Sequence, residues 1–188
     1  MTDRPTELLN QYRDLVLHWS RRVNIVGPEA RENIEAHIKE AVQASAILKP
    51  SGTVLDFGSG GGLPAIPMAI VSPEVEFHLV EADQKKWAFL KHVARECQLN
   101  CRIWGDRLTR ALAVMPPTLR FDLVTSRAVG RPEEWVPELL GRMQEGGRIA
   151  LFQADPTSPE IKGVEQIRSS RLSRGDSNYL VELRRASE

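Results

Sequence analysis

Histidine and cysteine are few and scattered. The histidines stand at positions 18, 37, 78 and 92 and the two cysteines at 97 and 101; none shows metal-ligand spacing, and two cysteines make no disulfide framework. No metal site is expected, and the cysteine usage fits a reducing compartment. Neither sign of charge is in excess, with 25 Lys and Arg against 25 Asp and Glu. A nucleic-acid partner would therefore have to be met by a local basic patch. No apolar run reaches membrane-spanning length and no leader pattern is visible, so a cytoplasmic protein without membrane contact is expected. No internal repeat or low-complexity linker interrupts the chain, and 188 residues fit one domain with a real core.

Glycine, by contrast, is concentrated in one stretch. Thr53 to Pro67 reads TVLDFGSGGGLPAIP. Val54, Leu55 and Phe57 form a buried-strand run bounded by Ser51-Gly52 and Gly58. Pro64 and Pro67 suit the first turn of a following helix, where a missing N–H has no intrahelical acceptor to disappoint. A strand, a glycine turn and a helix start make a nucleotide site, because glycine lets backbone amides approach a ligand and the helix start carries partial positive charge. Two registers compete. A dinucleotide fingerprint counted from Gly58 fails at Leu63, whereas Gly60-x-Gly62-x-x-Ala65 satisfies it, with Glu81 about 20 residues on. That register begins late, beyond the strand end.

Counted as Asp56-x-Gly58-x-Gly60-x-Gly62, the segment is similar to the first motif of S-adenosylmethionine (SAM) dependent methyltransferases. In that family the glycine turn packs against the methionine part of SAM, and an acid ending the second strand binds the ribose hydroxyls. Glu81, closing Val75 to Val80, stands in that place.

The flanking chain supplies the frame. Leu8, Tyr12, Leu15, Val16, Trp19 and Val23 fall at helical spacing over residues 6–23, with Thr6 as N-cap; Ile34, Ile38, Ala41, Val42, Ser45 and Leu48 repeat the pattern over 29–48. Residues 1–50 thus read as a helical cap and 51–188 as an α/β core within one domain. From Thr53 strands alternate with helices, which predicts a parallel sheet covered on both faces. A helix is expected over Gln84 to Gln98, with Cys97 in the core, then strands at Arg102 to Trp104 and Phe121 to Thr125. A helix carrying Trp135, Leu139, Leu140 and Met143 follows, then a turn at Glu145-Gly146-Gly147 and a strand at Arg148 to Phe152. Val164 to Arg168 and Tyr179 to Leu183 read as a closing antiparallel hairpin at the sheet edge.

Ligands of an open parallel sheet bind outside the carboxyl ends of its strands, near the switch point. Those ends are Asp56 and Gly58, Glu81, Gly105-Asp106 and Ser126-Arg127. Asp106 can either accept from an adenine amino group or cap the helix over Leu108 to Val114, and backbone groups of Arg107 and Leu108 can complete that pocket. The fourth strand is not followed by an Asn/Asp-Pro-Pro-aromatic run or a Pro-Cys nucleophile, so amino-group and pyrimidine-ring chemistry lose their usual signatures. Thr125-Ser126-Arg127-Ala128 stands there instead.

These residues resemble the glucose-inhibited division protein B family, bacterial methyltransferases that modify N7 of one guanine in 16S ribosomal RNA. The similarity runs over roughly residues 8–153: Leu9, Tyr12, Trp19 and Asn24-Ile25; His37-Ile38; Val54 to Pro67; Glu81; Lys85-Lys86, Phe89-Leu90; Phe121-Asp122; and Ser126-Arg127-Ala128. Gly-Leu-Pro-x-Ile-Pro with Ser-Arg-Ala is its specific part. The resemblance implies a Rossmann-like seven-stranded sheet with the last strand antiparallel, SAM as cofactor, and Gly58, Leu63, Arg107, Leu108 and Arg127 at SAM-binding positions, Arg127 as a positioning group. It implies 16S rRNA or the small ribosomal subunit as partner; a monomer is expected. The chain departs from the family at Val26, at Ala36, Glu40 and Ala41 where Arg-His-x-x-Asp-Ser is usual, and at Gln153 where a basic residue is common.

Guanine N7 has a lone pair and no proton to lose, so methyl transfer needs in-line positioning rather than a general base. His37 is the base the position offers, but a lone helix histidine is more often structural. RNA contact is expected at Arg21-Arg22, at Lys85-Lys86, and at Arg127 with Arg131. Other readings are a small-molecule methyltransferase, a non-catalytic ribosome-assembly factor on this fold, and a NAD oxidoreductase.

Overall fold

The computed structural model describes residues 3–173 and 178–186. A seven-stranded sheet forms from β1 (Thr53–Phe57), β2 (Glu76–Val80), β3 (Cys101–Trp104), β4 (Phe121–Arg127), β5 (Met143–Gln153), β6 (Val164–Arg171) and β7 (Tyr179–Arg185), in the order β3-β2-β1-β4-β5-β7-β6. β1 to β5 are parallel, and β7 runs antiparallel between β5 and β6. The switch point lies between β1 and β4.

Period-two alternation sends successive side chains to opposite faces. Val54, Leu79, Leu123, Ala150 and Leu180 join one apolar cluster, while Leu55, Val80, Val124, Leu151 and Val181 join the other. The first face is covered by α1 (Arg4–Trp19), α3 (Ile34–Leu48), α4 (Ala65–Val71) and α5 (Gln84–Glu96), the second by α6 (Leu108–Val114) and α7 (Pro132–Leu140). The N-terminal helices therefore pack on the same face as the helix after the glycine turn. Asp122 accepts from the Thr53 amide at 2.8 Å and pins the start of β1 to β4.

Several boundaries differ from expectation. Asp3, not Thr6, caps α1: its carboxylate accepts from the Thr6 amide at 3.0 Å, and a proline follows in the first turn. The helix ends at Trp19, so Val23 lies beyond it. Residues 29–48 are not one helix, because Asn33 donates its side-chain amide to the Glu29 carbonyl at 3.0 Å and leaves the helical path. A short α2 (Pro28–Glu32) therefore precedes α3. α5 stops at Glu96, two residues before Gln98, whose φ of 53° is left-handed. Met143 belongs to β5, which starts before the glycines at 146 and 147 and shifts register against β4 between Phe121 and Leu123. The apolar periodicity of α7 ran past its end because Met143 packs on the same cluster from the strand.

Candidate active site

The carboxyl ends of β1, β2, β3 and β4 are level, with Phe57 opposite both Val80 and Ser126 and Val80 opposite Trp104. Gly58, Gly60 and Gly62 all have positive φ, at 72°, 53° and 90°. A Cβ on Gly58 would stand 2.3 Å from Val129 Cγ2, and one on Gly61 would stand 2.5 Å from Val26 Cγ1. The turn is glycine-rich because its conformation and its neighbours both leave no room.

The backbone amides of this turn are directed inward. Gly58 and Ser59 donate to the Val80 carbonyl at 3.0 and 3.1 Å, Gly60 donates to Glu81 Oε2 at 2.7 Å, and Gly62 donates to the Ser59 carbonyl at 2.7 Å. A pyrophosphate cradle needs such amides aimed at the anion. The expectation that amides approach a ligand is corrected for these four, and the late dinucleotide register is left without the amides of Gly60 and Gly62. Tyr12 locks the turn from the cap, donating to the Gly61 carbonyl at 2.7 Å; burial pushes the phenol upward and keeps it a donor. Sequence reasoning took Tyr12 as one apolar position and passed over Gly61. The unbroken Gly60-Gly61-Gly62 run was the available signal.

Asp56 lies beneath the turn, 1% exposed, and Oδ1 accepts from Thr125 Oγ1 at 2.6 Å. Oδ2 has no hydrogen-bond partner among the described residues. Desolvation raises this carboxyl from 3.8 to about 7, against the lowering effect of the Thr125 hydrogen bond. Glu81 follows β2 directly, with Oε1 accepting from the Asp83 amide at 2.8 Å while Oε2 holds Gly60. Asp106 follows β3, and its carboxylate accepts from the Arg107 amide at 2.7 Å. It is not the cap of α6, whose N-cap is Arg107, and Oδ1 also lies 3.9 Å from Arg110 Nη1. Leu63 is half-buried after the turn, and Leu108 is buried at the start of α6.

Beyond β4 the chain opens into a cleft of about 880 Å³, lined in part by His37, Glu40, Arg127, Val129, Phe152 and Tyr179. Ser126 Oγ donates to the Phe57 carbonyl at 3.0 Å, tying the end of β4 to the residue before Gly58. Arg127 then meets α3: Nη1 lies 3.1 Å from Glu40 Oε2, and Nη2 donates to His37 Nδ1. Ala128, with φ of 56°, turns the chain so that Val129 reaches Gly58. The three residues of Ser-Arg-Ala thus clamp, charge and turn. Sequence reasoning placed Arg127 but left His37 as structural and counted Glu40 only as a departure. Nothing local could have joined them to an arginine 90 residues away.

The model of the family described as rRNA small subunit methyltransferase G matches residues 5–177. The chain belongs to that family. Among similar relatives, each named "Ribosomal RNA small subunit methyltransferase G", the protein from Magnetococcus marinus is 35% identical over 85% of this chain and 73% of its own length. The protein from Helicobacter pylori is 32% identical over 82% of this chain and 85% of its own. Solved structures share the architecture: a precorrin-6y C5,15-methyltransferase from Geobacter metallireducens aligns with a TM-score of 0.58 at 13% identity, over 78% of this chain and 87% of that one. The glycopeptide N-methyltransferase MtfA complexed with sinefungin aligns at 0.61 and 13% identity, over 80% and 87%. The fold is the Rossmann-like methyltransferase fold with its last strand antiparallel.

Three of the five departures have local roles. Glu40 keeps the acid that the second-helix motif carries and uses it on Arg127. Val26 packs over Gly61, where an apolar side chain fits. Gln153 donates from Nε2 to the carbonyls of Asp155 and Thr157 at 2.8 and 2.9 Å, holding the connection after β5. The basic candidates do not converge on the cleft. Arg21 and Arg22 are exposed past α1, Lys85 is exposed and Lys86 half-buried in the first turn of α5, and Arg131 is 73% exposed on the cleft rim. Arg131 is paired with Glu134 at 2.5 Å and lies 3.9 Å from Glu133, exposed pairs that solvent weakens.

Proposed function

We propose that this protein transfers a methyl group from SAM to N7 of one guanine in 16S ribosomal RNA of the small subunit. The observation that carries this reading is the glycine turn closed by the acid after β2, with Gly60 held on Glu81 at 2.7 Å and the amides of Gly58, Ser59 and Gly62 spent on backbone carbonyls. The residues present fit SAM. The Cα surface at Gly58 to Gly62 suits the methionine part, Glu81 suits the ribose hydroxyls, and Asp106 with the backbone of Arg107 and Leu108 suits adenine. Asp56, buried beneath the turn, attracts a positively charged ligand through its ionised form without touching it. When bound, the sulfonium supplies an electrophilic methyl group.

The chain's own residues then have to position rather than deprotonate. N7 has no proton, and the cleft needs only to present the purine edge in line with the donor. Phe152 and Tyr179 offer rings on which a base extruded from RNA can stack. Val129 stands between the turn and the cleft and sets the depth at which the base stops. Arg127 brings a fixed cation to this junction. Arg21, Arg22, Lys85, Lys86 and Arg131 supply the rim that meets phosphate. We read cap and core, residues 1–50 and 51–188, as one domain acting as a monomer in the cytoplasm.

The test is transfer of labelled methyl from SAM to 30S particles and to free 16S RNA from cells lacking the modification, with a parallel thermal-shift titration. Stabilisation by SAM and not NAD, together with label in 16S RNA, is expected. Stabilisation by SAM without label in RNA would contradict the substrate assignment, and stabilisation by NAD alone would contradict the cofactor.

A further inference from the structure

We propose that His37 and Glu40 are positioning residues of the transfer site, acting through Arg127 to join the helical cap to the methyl-transfer cleft; this rests on the methyltransferase reading above. The two side chains sit one helical turn apart on α3, each 2% exposed, and face the last residue of β4. Glu40 Oε2 forms an ion pair with Nη1 at 3.1 Å without hydrogen-bond geometry, and His37 Nδ1 accepts from Nη2. The hydrogen bond at Nη2 and the ion pair at Nη1 together hold the group against α3.

The histidine's role follows from donor chemistry. An arginine can only donate, so Nδ1, the ring nitrogen nearest to Nη2, is the acceptor, with Nε2 3.5 Å from the same Nη2. Nδ1 lies 3.4 Å from Glu40 Oε2 as well, which is a close approach and not a second hydrogen bond while Nδ1 accepts. Nδ1 is thereby occupied and does not serve as a base toward substrate, in keeping with a reaction that needs none. His37 instead works as a fixed acceptor.

Stability does not account for the arrangement. A buried ion pair generally contributes no more than apolar packing of the same volume would. α3 already buries Ile34, Ile38, Ala41, Ala44 and Leu48. What the pair adds is a directed cation at the point where β1, β4 and the cleft meet. Ser126 fixes the root of Arg127 against Phe57, and α3 fixes its tip. The cap is then part of the active site and not only a cover for one face of the sheet.

Single-turnover methyl transfer, SAM affinity by calorimetry and thermal midpoints would be measured for E40Q, E40D, H37A, H37N, R127M and the double variant E40Q/R127M. E40Q and R127M should each slow transfer by about tenfold or more. The double variant should be no slower than R127M within about twofold, since both act through one group. Its midpoint should lie above that of R127M, because the stranded carboxylate is gone. E40D and H37N, which keep the acid and the acceptor, should retain most activity. Multiplicative losses in the double variant, or wild-type transfer by E40Q, would overturn the proposal. If the wild type methylates no ribosomal RNA, the substrate reading fails separately, and the same comparison is made on SAM affinity, where additive losses overturn the bracket. Should E40Q not fold, H37N against H37A decides, and equal losses in the two overturn it.

Discussion

The glycine turn and the Arg127 cluster touch at Val129, yet they are held together in opposite ways. The turn is a backbone device: its amides end on the Val80 carbonyl, on Glu81 and on Ser59, and its shape depends on positive φ at three glycines. The cluster is a side-chain device, with a guanidinium from β4 held by an acid and an imidazole from α3. The difference teaches where each half is vulnerable. Backbone devices fail through added atoms, and side-chain devices fail through a lost or stranded charge.

Gly58→Val should separate the two halves most sharply. It places a branched side chain at φ 72° and a Cβ 2.3 Å from Val129 Cγ2. SAM affinity should fall by about a hundredfold or more, about 3 kcal/mol, in calorimetry. A folded variant with unchanged affinity would break the assignment of the turn.

Asp56→Asn probes the buried acid under the turn. Its folded-state value of about 7 lies above the ordinary 3.8, so between these limits the folded protein holds a proton that the unfolded chain has lost. Wild-type stability should therefore fall as pH rises through that window, and the cost is fully present above it. The Asn variant should match wild type near the bottom of the window and unfold at higher temperature than wild type above it, while binding SAM more weakly. A difference in thermal midpoint that does not change with pH would contradict a raised Asp56.

Tyr12→Phe removes only the bond from the cap to the Gly61 carbonyl. It should cost about 1 to 2 kcal/mol in denaturant unfolding, with a weaker effect on SAM affinity than Gly58→Val. The smallest effect is expected from Lys85→Ala with Lys86→Ala, which lie outside both devices. SAM affinity should be unchanged, and the salt dependence of RNA binding should lose a slope of about one to two. An unchanged slope would remove these lysines from the RNA-facing rim.

How much of this was legible depends on the range of the interactions. The glycine turn, Glu81 and the Ser126-Arg127-Ala128 motif could be placed because each is written in a few adjacent residues. Asn33 breaking the 29–48 helix and Asp3 capping α1 were missed because a side chain competed with a weak local preference. The inward direction of the turn's amides was also hidden, since it depends on where β2 ends in space. Glu40 and His37 were the deepest omission. Their helical spacing reads as an ordinary buried face, and only the packing of α3 beside β4 brings them to Arg127.

The measurement that tests the account most directly is the position of the transferred methyl. Wild-type protein, labelled SAM and 30S particles lacking the modification should place label on a single guanine whose strand cleaves after reduction, as N7-methylguanine does. Label on an exocyclic amino group or a pyrimidine would contradict a site that positions a base without deprotonating it.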